Sequence, residues 1–205
     1  MEIDNNLRDN RMQVDTITKQ LLERLTSNVN RAIGSSIINI HNCTVQETVL
    51  PFYSGFKLFV LIDSSYTPLV KYSLLDDGET TILLDGTLDA WNTANKVENP
   101  KLSVTNILDY AKCVLDSISR CNIVTTIEDI DFSQMPTVEM FQNIEAAIKP
   151  PVVSFRNNSF TILTCILQGN ILYDSLINIT IAGEIDIADK NFLLDQIPVD
   201  EITWE

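Results

Sequence analysis

The runs SFTILTCILQ (159–168) and ILYDSLINITIAG (171–183) are separated only by Gly169-Asn170. Two stretches rich in Ile, Leu, Thr and Phe, bounded by a two-residue turn signal, predict an antiparallel hairpin. VVSFR (152–156) precedes them across a second turn signal, Asn157-Asn158, and EIDIADKNFLL follows. In the last run apolar and acidic side chains alternate, which predicts a shorter strand with one face buried and one in water. A four-strand meander is therefore the feature that the rest of the chain must accommodate.

The preceding residues read as follows. Apolar side chains recur at Ile17, Leu21, Leu25, Val29 and Ile33, widened by Val14 and Leu22, which predicts a helix over 12–33 stopped by Gly34. Four strand-like runs come next: 36–49, 56–63, 68–75 and 79–84, with Asp76-Asp77-Gly78 as the hairpin signal between the last two. Asp85-Gly86-Thr87 reads as a strand-to-helix junction, with Thr87 capping a short helix that turns Leu88 and Trp91 inward. Ser103 is placed to cap a helix carrying Val104, Ile107, Leu108, Ala111, Leu115 and Ile118. NIVTTIEDI (122–130) reads as a strand, and Pro136 opens a helix with Val138, Phe141, Ile144 and Ile148 inward, ended by Pro150-Pro151. The order predicts an α+β fold with substantial antiparallel sheet in a single domain over 1–205, divisible into halves 1–100 and 101–205 that share a core. Missing βαβ alternation argues against a doubly wound nucleotide-binding fold.

Charge narrows the partners. The net charge is −14 at pH 7, and residues 122–205 hold 13 acidic but only 3 basic side chains, so −10 of it lies there. Such a surface repels phosphate backbones and anionic headgroups, which disfavours direct nucleic-acid or membrane binding and suits a basic protein partner. The N-terminal MEIDNNLRDN has no signal-type apolar core, and no run approaches the roughly 18 apolar residues of a membrane helix. Cys43, Cys113, Cys121 and Cys165 are widely spaced among apolar residues and read as buried small hydrophobes in a reduced cytoplasm. On that reading the sequons at Asn42, Asn157 and Asn178 are chance matches.

Several chemistries are absent as motifs. The 6 glycines cannot be arranged into either phosphate-cradle pattern, and G-x-S-x-G is also missing. His41 is the only histidine, so H-E-x-x-H is impossible. On a strand His41 would share a face with Cys43, which makes a Cys–His pair conceivable, though a structural or surface histidine is the stronger expectation. A hard-cation site would have to use Asp85 with Asp89, or Asp129 with Asp131 if the strand ran through IEDID. Glu184, Asp186 and Asp189 form a further acidic cluster. No Asp/Glu-x-Lys triplet occurs, and no metal or cofactor is expected. PFYSGFKLF (51–59) gathers four aromatics around Gly55 and suggests binding rather than chemistry. In PVDEITWE, Trp204 beside Asp200 and Glu201 is a candidate partner anchor, as are Glu184 and Asp186.

LLDGTLDAWNTAN, NILDYAKCVLDSI with IVTTIED, and the closing meander from Ser159 to Glu201 together resemble a pattern in a family of uncharacterised bacterial proteins. There an L-D-G-T/S turn precedes an Asn, a Tyr-containing helix and a strand meander ending near L-P-[VI]. The resemblance spans roughly residues 70–201, leaves the N-terminal helix outside, and implies a bacterial-type cytoplasmic domain without an assigned activity. The function expected is a non-catalytic acidic interaction module, an accessory subunit or inhibitor of a basic protein. The alternatives are a carboxylate-based enzyme binding a divalent metal or small ligand, and a homo-oligomer formed through an open sheet edge.

Overall fold

The structure, a computed structural model, describes residues 19–36, 38–67, 70–118 and 121–199. The fold is α+β, with two antiparallel sheets and four α-helices among the described residues. It divides into two compact units at the Leu84/Asp85 boundary.

In the first unit, helix α1 (Lys19–Ile33) is followed by strands β1 (Cys43–Val49), β2 (Lys57–Asp63), β3 (Val70–Asp76) and β4 (Thr81–Leu83) in the order β1-β2-β3-β4. Gly34 ends α1 as expected. Its φ of +76° lets its N–H reach Arg31 O while the Ser35 N–H reaches Asn30 O, the paired bonds of a Schellman cap. Leu25 and Val29 of α1 pack on Cys43, Phe59, Leu61 and Leu74, which lie on one face of the sheet. The expected strand over 36–49 is shorter. Ile40–Asn42 form a 3-10 turn in which Asn39 Oδ1 accepts the His41 N–H, so the strand begins only at Cys43.

Asp76 fixes α1 to the β3–β4 hairpin. Its carboxylate is buried, receives both Arg24 nitrogens at 2.6 and 2.7 Å, and also accepts from Thr81 Oγ1 and the Gly78 N–H. Burial would raise the Asp76 pKa, but these donors hold it below the ordinary carboxylate value.

The second unit runs α2 (Leu88–Val97), α3 (Ile107–Ser117), β5 (Cys121–Val124), α4 (Val138–Ala147), β6 (Val152–Arg156), β7 (Ser159–Gln168), β8 (Ile171–Thr180) and β9 (Ile185–Leu194). The sheet order is β5-β7-β8-β9, with β6 also paired to β7. β5 lies along residues 165–168 of β7 and β6 along residues 159–163, so the two share one edge end to end. The turns are those the sequence announces. Asn157 and Asn158 both have positive φ, at 51° and 58°, and Gly169 has φ +57° at the first position of the next two-residue turn. β9 is as long as its neighbours rather than shorter, and it carries two register shifts against β8.

The second-unit core gathers Val124, Cys165, Leu167 and Leu172 on one sheet face beneath Ile144 of α4, with Ile130 and Ile197. Phe160, Ile162, Ile177 and Ile179 are buried on the opposite face. Three elements differ from the expected ones. α3 starts at Ile107 rather than after Ser103, because the Asn106 side chain bonds Ser103 and Lys101 and leaves Val104 exposed. The strand expected over 122–130 stops at Val124, since Asp129 accepts the N–H groups of Thr125 and Thr126 and winds Ile127–Asp129 into a 3-10 turn. Val138 at the start of α4 is exposed, and Met140 packs on the core in its place.

Candidate functional site

The carboxylates proposed for a metal site have local hydrogen-bonding roles or stand in solvent. Asp85 Oδ1 accepts the Thr87 hydroxyl at 2.6 Å and the Thr87 N–H at 3.1 Å. The hydroxyl bond is the main reason that the Asp85 pKa is lowered. Asp89 lies exposed in the first turn of α2, where its charge suits the positive end of the helix. Asp129 is bound by Thr125 Oγ1 and both threonine N–H groups, with Lys112 at 3.6 Å. Burial opposes ionisation of Asp129, and those donors overcome it. With Glu128 and Asp129 in a turn, the strand alternation that would align Asp129 with Asp131 does not exist, and Asp131 is exposed. Among the described residues no three His, Cys, Asp or Glu side chains are placed to hold a metal ion.

The Cys–His arrangement fails on geometry as well. His41 is exposed in its 3-10 turn while Cys43 is buried in the first-unit core. Burial raises the pKa of all four thiols, those of Cys113 and Cys121 to about 12 and about 11, so they remain protonated and poor nucleophiles. The aromatics of PFYSGFKLF are not a binding surface: Phe52, Tyr53, Phe56 and Phe59 are all buried. Tyr53 makes edge contacts with Phe52 and Phe56 at 5.2 and 5.6 Å between ring centroids.

Of the partner-docking candidates, Glu184 and Asp186 are exposed in the turn before β9 and near its start. Asp200, Glu201 and Trp204 lie outside the described residues. The residues from 122 onward do present unneutralised charge. Asp131, Glu139, Glu145, Glu184, Asp186, Asp189 and Asp195 are exposed and enter no ion pair among the described residues, whereas Asp129 and Asp174 are matched by Lys112 and Lys149.

Two of the unpaired acids flank a cleft that the sequence gives no sign of. It has a volume of about 220 Å³ and lies between the start of α4 and residues 194–197. Thr137 caps α4, its hydroxyl accepting the Met140 N–H at 3.2 Å, and this fixes the first turn that carries Glu139 and Met140. The other wall follows β9, and the Ile197 N–H is held by Asn170 O at 3.0 Å. Ile144 and Ile197 are buried at the base, Met140 and Leu194 are half-buried, and Glu139, Asn143 and Asp195 reach solvent. An apolar base under two carboxylates can receive a group that is part hydrocarbon and part cation.

No helix among the described residues is long and apolar enough to cross a membrane. The chain matches no family model, no curated protein and no solved structure, so its own geometry is what a functional reading rests on.

Proposed function

We propose that the protein is a non-catalytic acidic interaction module whose second unit docks a basic protein. The observation that carries this reading is the set of seven exposed carboxylates between Asp131 and Asp195, Asp189 included, that no described cation neutralises. Unpaired surface acids in that number steer a positively charged partner and set its orientation more than they add affinity. They also repel nucleic acid. The aspartates considered for metal chemistry are engaged with threonines or stand apart in solvent, which leaves the interaction reading the better supported of the two.

Calorimetric titration with hexa-arginine tests the proposal. Saturable binding that weakens steeply as salt rises from low to physiological concentration is expected, with no heat from hexa-glutamate. Absence of binding at low salt would end this reading.

A second arrangement has one observation in its favour. β6 forms a sheet edge and exposes Val152 and Phe155, an edge without the inward charges or bulges that protect such strands. Self-association through β6 predicts a dimer mass by light scattering that reverts to monomer when Ser154 is replaced by Pro.

A further inference from the structure

We propose that two copies of the chain join by pairing β6 with β6 in antiparallel register, across a two-fold axis at Ser154. The inference rests on the second arrangement above, self-association through β6, and specifies its register, its chemistry and its response to salt.

Charge selects the surface. Each copy carries −14, so two copies repel wherever their acidic faces meet. Residues 146–173, which hold β6 and β7, contain no acidic side chain, within a stretch, 122–205, that holds 13. A basic partner is drawn to the carboxylates, whereas a second copy meets least repulsion here. The opposite edge of the sheet is guarded. β9 exposes Asp186, Asp189 and Lys190 and carries two register shifts against β8. β5 shares the β6 edge, but it is only 4 residues long and buries Cys121, Ile123 and Val124.

Hydrogen bonding sets the register. Arg156 and Ser159 flank the two-residue Asn157-Asn158 turn, which makes them a hydrogen-bonded pair of the hairpin. Bonding alternates along the strand, so Val152, Ser154 and Arg156 bond inward to β7 while the Val153 and Phe155 N–H and C=O groups face outward. Among the described residues no strand takes them. A two-fold axis at Ser154 sets Val153 opposite Phe155 of the second copy, so that the two exchange both bonds.

The same register covers apolar surface. Phe155, 47 % exposed and packed on Phe160 at 4.5 Å, comes against Val153 of the second copy on one face. On the other face, Val152 and its neighbour Leu163, 59 % and 49 % exposed, come under the methylene stem of the second copy's Arg156. A strand of 5 residues buries less than the roughly 1,600 Å² of a standard interface, so the dimer is weak and depends on concentration.

Light scattering and cysteine trapping on the full chain test this. The mass is expected to approach twice 23.1 kDa as concentration rises. It should do so at lower concentration in about 0.5 M salt than in about 0.05 M, because salt screens the repulsion between copies. The two Ser154 residues meet as a non-hydrogen-bonded pair, with Cα atoms about 4.5 Å apart and within disulfide reach. S154C alters an exposed residue and should link to itself under mild oxidation several-fold faster than V152C, whose two copies stand about 14 Å apart along the strands. The native Cys43, Cys121 and Cys165 are buried and contribute little background.

If the mass doubles but S154C links no faster than V152C, the register falls and self-association stands. A dimer that salt disperses would also overturn the proposal, since charge would then hold it together. A monomeric mass at every concentration and salt withdraws both the register and self-association through β6.

Discussion

The Tyr110 hydroxyl donates to the Gly183 carbonyl oxygen at 2.7 Å while accepting the Asn95 amide at 2.9 Å, inside the second unit and away from water. One phenol thereby joins α2, α3 and the β8–β9 turn. The approach is close enough to require glycine. A Cβ at position 183 would stand 2.5 Å from the Tyr110 oxygen and 2.6 Å from Asn95 Nδ2, and the φ of +84° already disfavours any other residue.

Removing this hydroxyl takes one hydrogen bond from a buried carbonyl and one from a buried amide. Tyr110→Phe is expected to lower the unfolding free energy by about 2 kcal/mol in urea titration. Gly183→Ala combines overpacking with backbone strain and should lower it by about 3 kcal/mol. An unchanged midpoint in either variant would contradict the network.

Alkaline pH probes the same group. Burial is the first cause that pushes the Tyr110 pKa from 10.0 to about 12, so the folded protein holds the neutral phenol after the unfolded chain has ionised. This contribution is full below pH 10 and is lost as pH rises toward 12, a change of about 3 kcal/mol for two pKa units. The raised thiols of Cys113 and Cys121 act in the same direction from pH 9 upward. Unfolding free energies measured from pH 8 to 12 should therefore fall, and fall less steeply in Tyr110→Phe above pH 10. Parallel curves would refute the assignment.

In the first unit the Arg24–Asp76 pair works at the opposite end of the pH scale. Because the Asp76 pKa is lowered, the pair's contribution is present above about pH 4 and disappears as pH falls through the folded-state value. Arg24→Ala strands the Asp76 charge beside Thr81 and is expected to cost about 2–3 kcal/mol at pH 7. That lies below the figure for a fully buried pair because Arg24 is 34 % exposed. The penalty should shrink in acid. A cost that does not vary with pH would place the effect in packing instead.

Thr87 and Thr137 each directly precede an α-helix, and of the two Thr137 alone caps with its side chain. Thr137 accepts the Met140 N–H, whereas the Thr87 hydroxyl donates to Asp85 and leaves α2 without a side-chain cap. Thr137→Ala should cost about 1 kcal/mol and Thr87→Ala no more than about 0.5 kcal/mol, both read from denaturation midpoints. The reverse order would show the capping assignments to be exchanged.

Thr164 of β7 and Ser175 of β8 face each other across the sheet, both buried, with hydroxyls that have no partner among the described residues. Replacing them with apolar groups of similar shape removes that desolvation penalty. The T164V/S175A double variant is expected to be at least as stable as the parent, and up to about 1 kcal/mol more so. A loss of more than 1 kcal/mol would mean that the hydroxyls are satisfied by a bound group.

The strand meander was legible because its signals are local. The Asn157-Asn158 and Gly169-Asn170 turns sit where backbone sterics require them, and the ten-residue pairing of β7 with β8 follows. Where side chains compete with the backbone, reading by pattern fails. Asp129 diverts Thr125 and Thr126 from the strand, and Asn106 delays α3 past Ser103. The Thr87 hydroxyl, expected to accept a backbone N–H of α2, instead donates to the Asp85 carboxylate. The cleft was invisible for a different reason. Glu139 and Asp195, and Met140 and Leu194 behind them, are distant in sequence and meet only when α4 settles against the end of β9. Nothing in either segment marks it before folding.

The most direct test of the central claim is affinity capture of the full chain in its native host at low salt, followed by elution with a salt gradient and mass spectrometry. The account predicts one stoichiometric, basic partner that elutes by about 0.5 M salt, where charges on the surface are screened within a few ångströms. It predicts that E139Q/D195N moves that elution to lower salt. Recovery of the bait alone, or of an acidic partner that high salt does not release, would contradict it.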